Sequence, residues 1–207
     1  MEPMNAKPSR SNRQAGAFSL VELLVVIAIM ALLATLTVPA FQSITLGSSL
    51  ARGGQIVADQ LALARQMAVS RNSQVQVRLI WLKNNPPGYQ AIQLWGQGAT
   101  PAEHVPLSQL VPLPEGISLA ATASLSPLLN DSSLVTISGR AAFGGRGLLD
   151  YRGFRFKAGG RTDLPYNASN AFLTVVATRD ADKTSLPDNY SLVQVDPVSG
   201  RVKTFRP

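Results

Sequence analysis

Glu22 is the one acidic residue in a run of apolar side chains that opens at Ala17-Phe18-Ser19-Leu20-Val21-Glu22 and closes at Val38-Pro39-Ala40-Phe41. An ionised carboxylate is costly inside such a segment, so its default meaning is a specific cationic partner. From Leu23 to Phe41 no side chain is charged. At 1.5 Å per residue that stretch is about 28 Å long, close to the hydrocarbon thickness of a bilayer. A plainer reading of Glu22 is that it lies near one boundary and snorkels to the headgroups.

The flanks orient this segment. Lys7, Arg10 and Arg13 precede it against Glu2 alone, and some 165 residues follow it. The positive-inside tendency keeps a short basic leader in the cytoplasm and exports the long remainder. A secretory signal peptide is the competing expectation. The apolar run is about twice the length of an ordinary signal h-region, and no small-x-small site follows it cleanly.

These residues resemble the type IV prepilins and the pseudopilins of type II secretion. In that family a prepilin peptidase cuts a basic leader before the apolar segment and leaves a methylated Phe. A Glu lies four residues after that Phe, and a Pro lies near the end of the span. Phe18, Glu22 and Pro39 occupy the matching positions, which implies cleavage between Ala17 and Phe18. The residue before the cut is usually Gly; here it is Ala17, with Gly16 one position earlier. Removing the leader creates a terminal amine beside the apolar helix. Opposite unit charges about 4 Å apart attract by about 4 kcal/mol at an effective dielectric of 20. Glu22 of one subunit is thereby expected to neutralise a neighbour's amine and set the register between packed helices, as buried polar residues do in coiled coils.

Composition bounds the remainder. About 150 residues follow the leader and span, enough for one domain with a real core. There is no Cys and one His, so disulfides, thiolate metal sites and most nucleophile-base arrangements are excluded. No enzyme and no cofactor is expected. The formal charge is +7 and the sequence pI about 10.2; removing Lys7, Arg10, Arg13 and Glu2 takes the charge to +5. That imbalance suits an anionic partner.

The expected fold class is α+β, a long N-terminal helix packed on a β-rich, pilin-like head. The expected divisions are a leader over 1–17, a membrane and assembly helix over 18–41, its amphipathic continuation over 42–72, and a periplasmic head over 73–207. Pro39 should kink the helix without ending it. Gly47-Ser48-Ser49 and Gly53-Gly54 mark a weak zone, and Ile56, Leu63 and Met67 restore a helical period up to about Arg71. Alternation predicts strands over 74–79 and 89–94, around an Asn84-Asn85-Pro86-Pro87-Gly88 turn. Further strands are expected at 134–137, 148–156, 171–178, 191–195 and 202–205. The Pro-rich stretch 99–129 is expected to be a loosely structured insertion with one or two edge strands, where partner specificity could lie.

The head extends the resemblance. Residues 61–72, 154–161 and 199–203 are similar to H-type minor pseudopilins. A narrower likeness, in overall pattern, is to the D member of the Verru_Chthon cassette group. The resemblance implies other pilin or pseudopilin subunits as partners, an inner-membrane location with a periplasmic head, and a minor role in a filament. It also opens an alternative, because some H-type relatives bind DNA through a basic C-terminal part. Here Arg152, Arg155, Lys157, Arg201, Lys203 and Arg206 would supply phosphate contacts, and Tyr151, Phe154 and Phe156 would supply stacking. Against it, Phe154 and Phe156 share one strand face and Arg155 and Lys157 the other, as on an ordinary solvated strand. A third reading is a membrane-anchored periplasmic binding domain, which explains the span but not the spacing of Phe18, Glu22 and Pro39. Gly144-Gly145-Arg146-Gly147 could form an anion nest but reads more simply as a tight turn. Asp180, Asp182 and Asp188 lack the spacing of a calcium loop.

Overall fold

The protein is represented by a computed structural model that describes residues 19–82, 87–100, 103–134, 137–143 and 145–207, without the side chains of 36–44. It divides into two units, Met1–Gln42 and Ser43–Pro207.

Helix α1 covers Leu20–Ser70 and continues through Pro39. Ser19 begins it, its hydroxyl accepting the Val21 N–H at 3.2 Å and its carbonyl the Leu23 N–H at 3.1 Å. Its end is a Schellman arrangement. Asn72 adopts φ 47°, its N–H bonds the Val69 carbonyl, and the Ser73 N–H bonds that of Ala68. In the first unit the apolar side chains Leu20 to Leu33 stand exposed all round the helix, Leu20 at 80 %. Among the described residues no helix is long and apolar enough to cross a membrane. The side chains described in this part stop at Thr35, and the apolar sequence runs on to Phe41.

In the second unit the helix buries one stripe, Leu50, Val57, Leu61, Ala64 and Ala68. Two antiparallel sheets receive it. The strands are β1 (Val75–Trp81), β2 (Ala91–Gln97), β3 (His104–Pro106), β4 (Val111–Pro112), β5 (Ile117–Leu119), β6 (Ile137–Ala142), β7 (Leu148–Phe156), β8 (Phe172–Ala177), β9 (Ser191–Val195) and β10 (Val202–Phe205). The first sheet has the order β3-β2-β1-β7-β6, with β4 also on β2; the second has the order β10-β9-β8-β5. Val77 lies at the centre of the first, opposite Leu94 on one side and Phe154 on the other. Val75, Val77, Leu79, Phe154 and Phe156 from the first sheet, and Leu119, Leu173, Val175 and Val193 from the second, join the helix stripe in one core. This is the expected α+β head, a helix packed on antiparallel sheet.

Three local expectations are corrected. The glycines at 53 and 54 are no weak zone, because the helix is continuous there and both residues are buried. A Cβ on Gly54 would run into Ser191 Oγ, and one on Gly53 into Ile117 and Val175. They let the sheet approach the helix backbone. The segment 99–129 is not loose. It holds β3, β4, β5 and the start of α2 (Pro127–Asn130), and it buries Leu113, Ile117, Leu119, Leu125, Leu128 and Leu129. Asn130 pins it by donating Nδ2 to the carbonyls of Ala120, Thr122 and Ser126, and the Thr174 N–H bonds Ser126 Oγ at 3.0 Å. Of the strand expected at 134–137, Ile137 begins β6, Leu134 is buried in a turn with its N–H on the Asp131 carbonyl, and 135–136 lie outside the described residues.

The glycines generate a paired prediction. Gly54→Ala should destabilise the head by about 1–3 kcal/mol through overpacking. Gly47→Ala, whose Cβ meets nothing within 4 Å, should stabilise the helix by about 0.5–1 kcal/mol. Thermal unfolding of the full chain in detergent reads both; equal shifts of one sign would refute the close-approach role.

Candidate functional site

Two regions carry the candidate residues. At the N-terminal end of the chain, Ala17 and Phe18 lie outside the described residues, and Pro39 is described only as helical backbone. Glu22 sits in the first turn of α1 with an exposed side chain. Counted from Ser19 as the cap, Glu22 is the third helical residue, so Ser19-Leu20-Val21-Glu22 is a capping-box sequence. A carboxylate there also faces the positive end of the helix dipole. Ser19 is a residue that the sequence reading missed, although the S-x-x-E spacing was available to find it. No basic residue lies between Glu22 and Arg52, so the helix itself offers Glu22 no cation within reach.

In the head, the structure disperses the six basic candidates. Arg152 Nη1 donates to the Leu129 carbonyl at 2.9 Å and to Asn130 Oδ1 at 3.1 Å, tying β7 to α2. Arg155 pairs with Asp163 at 3.1 Å, and the same carboxylate accepts the Arg155 N–H. Asp150 pairs with Arg140 at 3.0 Å. Lys157 is half-buried in the turn after β7. Arg201 and Lys203 are exposed around β10, and Arg206 reaches α1 to donate to the Gly47 carbonyl at 3.2 Å.

The aromatics do not form a stacking surface. Phe154 and Phe156 are fully buried, with ring centroids 5.4 Å apart. Tyr151 instead faces one side of Arg78, whose guanidinium carbon lies 4.3 Å from its centroid and 4.1 Å from that of Trp95. Gln76 Oε1 accepts from Arg78 Nε and Nη2 at 3.0 and 2.8 Å. Burial pulls the Arg78 pKa below the ordinary arginine value and Arg155 adds to that, while Tyr151 opposes it. Among the described residues this cation on β1, packed against two aromatic rings, is the most buried charge of the head. The sequence hinted at it only through a polar, apolar alternation that ends in Arg.

The remaining candidates resolve as ordinary structure. Asp180 is bridged by Lys183 at 2.6 Å and by Arg179 at 3.7 Å, and no three His, Cys, Asp or Glu could hold a metal among the described residues. The Arg146 N–H bonds the Phe143 carbonyl across a tight turn, beside Gly145 and Gly147 at positive φ; Gly144 lies outside the described residues. His104 borders a small space shared with Gln74, Gln76 and Gln97.

Engaged and exposed cations should respond differently to removal. Arg152→Ala should cost about 1–3 kcal/mol by stranding the Leu129 carbonyl and Asn130. Arg201→Ala and Lys203→Ala should each stay within about 0.5 kcal/mol. Denaturant unfolding of the three variants tests this; an unchanged midpoint for Arg152→Ala would make its bonds incidental.

Residues 12–38 match the family model for the prokaryotic N-terminal methylation motif, a segment that takes in Ala17, Phe18 and Glu22. Among solved structures, the minor pseudopilin EpsH from the type 2 secretion system of Vibrio cholerae is similar at 11% identity and a TM-score of 0.44, covering 77% of this chain and 98% of that one. That likeness is too slight to argue from. No curated protein matches. What the comparisons establish is thus a prokaryotic N-terminal methylation motif over residues 12–38, a segment that runs into the start of α1.

Proposed function

We propose that this chain is a minor, H-type pseudopilin or pilin. A prepilin peptidase cuts it between Ala17 and Phe18, the new Phe18 amine is methylated, and residues 18–41 hold it in the inner membrane with the head in the periplasm. It then joins other pilin or pseudopilin subunits in a filament, where Glu22 neutralises a neighbour's terminal amine. The observation that carries this reading is the methylation motif over residues 12–38. Two features of α1 support it. The helix begins two residues after Phe18, so the new amine emerges at a helix start. Its first third exposes Leu, Val, Ile and Met on every side, a surface that water disfavours and that lipid or neighbouring helices would cover. The DNA-binding reading has no comparable support, because Phe154 and Phe156 are buried, Tyr151 packs on Arg78, and Arg152 and Arg155 are engaged within the head.

The first test is the intact mass and N-terminal residue of the membrane-extracted protein, expressed with and without a prepilin peptidase. A methylated chain starting at Phe18 is expected, and Ala17→Gly should speed its appearance; a chain left whole by an active peptidase would overturn the processing step. The second is Glu22→Ala, which should leave membrane insertion intact and abolish co-assembly with partner pilins. Normal assembly of that variant would remove the charge-pairing mechanism while leaving processing untouched.

A further inference from the structure

Sheet edges present unpaired backbone groups, and proteins commonly guard them with proline, lysine or a covering segment. Three edge regions of this head are guarded. On the β2 side of the first sheet, β3 ends in Pro106 and β4 in Pro112. In the second sheet, β5 is closed by Tyr89, which exchanges backbone hydrogen bonds with Leu119 at 3.1 and 2.8 Å. At the other end of that sheet, β10 is short and carries Lys203 between Arg201 and Arg206.

The fourth edge, β6, differs. Its six residues, Ile-Ser-Gly-Arg-Ala-Ala, include no proline or lysine, and among the described residues nothing pairs with its outer side. Ser138, Gly139, Arg140 and Ala142 are exposed, and small side chains leave an approaching backbone unobstructed. The Arg140 side chain is drawn inward onto Asp150.

Beside this edge lies a groove of about 680 Å³, lined by Trp81, Tyr89, Asn130, Ser138, Asp150 and Arg152 among others. The register connects the two. Trp81, Asp150 and Arg140 form one row across β1, β7 and β6, and Leu79, Arg152 and Ser138 form another. A strand added to β6 would extend both rows, so its alternate side chains would fall on the groove side. Arg140 and Arg152 outnumber Asp150 among the residues that line the groove, which favours a segment bearing carboxylates. A second copy pairing β6 with β6 fits poorly, since such two-fold pairing would bring the two Arg140 side chains together and would close at a dimer.

We propose that β6 docks an extended, acidic segment of a different protein, which adds a strand to the first sheet and lays alternate side chains along the Trp81 and Tyr89 groove. This does not depend on how the membrane end is processed or paired.

The probe is a ten-residue peptide alternating glutamate and valine, added to the full chain in detergent micelles while amide exchange is followed. Exchange over Ser138–Ala142 should slow by about tenfold or more. A peptide with proline at alternate positions should give no protection, and a lysine and valine peptide should give less. Arg140→Glu should abolish the protection while lowering the unfolding midpoint by no more than a few degrees, because the Arg140–Asp150 pair is solvent-exposed. Unchanged exchange at millimolar peptide overturns the proposal, as does protection confined to β10. Equal protection by the lysine peptide overturns the acidic assignment. Protection that grows with protein concentration alone assigns the edge to a second copy of this chain and overturns the choice of partner.

Discussion

The head depends on one interaction, the burial of the Leu50, Val57, Leu61, Ala64 and Ala68 stripe against two sheets at once. Neither sheet buries enough by itself. The second has only β5, β8, β9 and β10, each of them six residues or shorter. The helix supplies a common surface, and its small residues set how near that surface lies. Ala64, Ala68, Gly53 and Gly54 bring backbone close to backbone, so that branched side chains such as Val175 and Ile117 can fill the space from the sheet side. The same closeness explains why the two hairpin turns ending β7 and β9 converge on Arg65. Its Nε bonds the Ser199 carbonyl at 2.9 Å, and Gly160 and Gly200, both at positive φ, pack without side chains beside it.

One helix therefore answers two requirements with two compositions. Between Leu20 and Leu33 the apolar residues surround the axis, which gives no preferred face and suits an apolar environment on all sides. After Gly47 they retreat to one stripe, and Arg52, Gln55, Asp59 and Gln66 occupy the opposite face. Charge follows the same division. The first composition admits a single ionisable group, placed in the first turn where helix geometry stabilises a carboxylate anyway. Glu22 can thus contribute to the helix start while its side chain stays exposed, because no basic residue of its helix comes before Arg52.

Much of the fold was legible in the sequence where the periodicity was undisturbed. The strands at 148–156, 191–195 and 202–205 lie where they were expected, the one at 75–81 keeps its polar-apolar alternation although both of its faces are buried, and α1 ends within a residue of Arg71 because Asn72 accepts a left-handed conformation. The failures have a common cause in contacts made far along the chain. Gly53-Gly54 reads locally as a weak point, and only the approach of Ser191 makes it a packing site. The stretch 99–129 reads as a loop because Pro and Ser break its pattern, yet Asn130 and Ser126 supply the backbone bonds that a longer strand would have made. Of the candidate sites, the membrane-end spacing was visible because it is sequential. The fate of the head cations was not, because Arg152 meets Asn130 and Arg78 meets Trp95 only through sheet register.

That distribution of cations bears on what kind of protein a basic head represents. Net charge alone suggests a polyanion surface, but charge serves such a surface only when guanidinium groups are free to gather phosphates. Here Arg78 is closed between two rings, Arg140 and Arg155 are held by Asp150 and Asp163, Arg152 ties strand to helix, and Arg206 ties the C-terminus to α1. Five cations spread over both sheets and the helix are thus occupied in joining elements of the head. The basic pI is to that extent a property of how a cysteine-free domain is held together. Arginine suits this work because its planar donors satisfy carbonyls and carboxylates at once, and because it stacks on aromatic faces without a carboxylate partner. On the strand-docking proposal, recognition by this head is a matter of a backbone edge and its groove, with the local charge of Arg140 and Arg152 selecting among partners that the shape already admits.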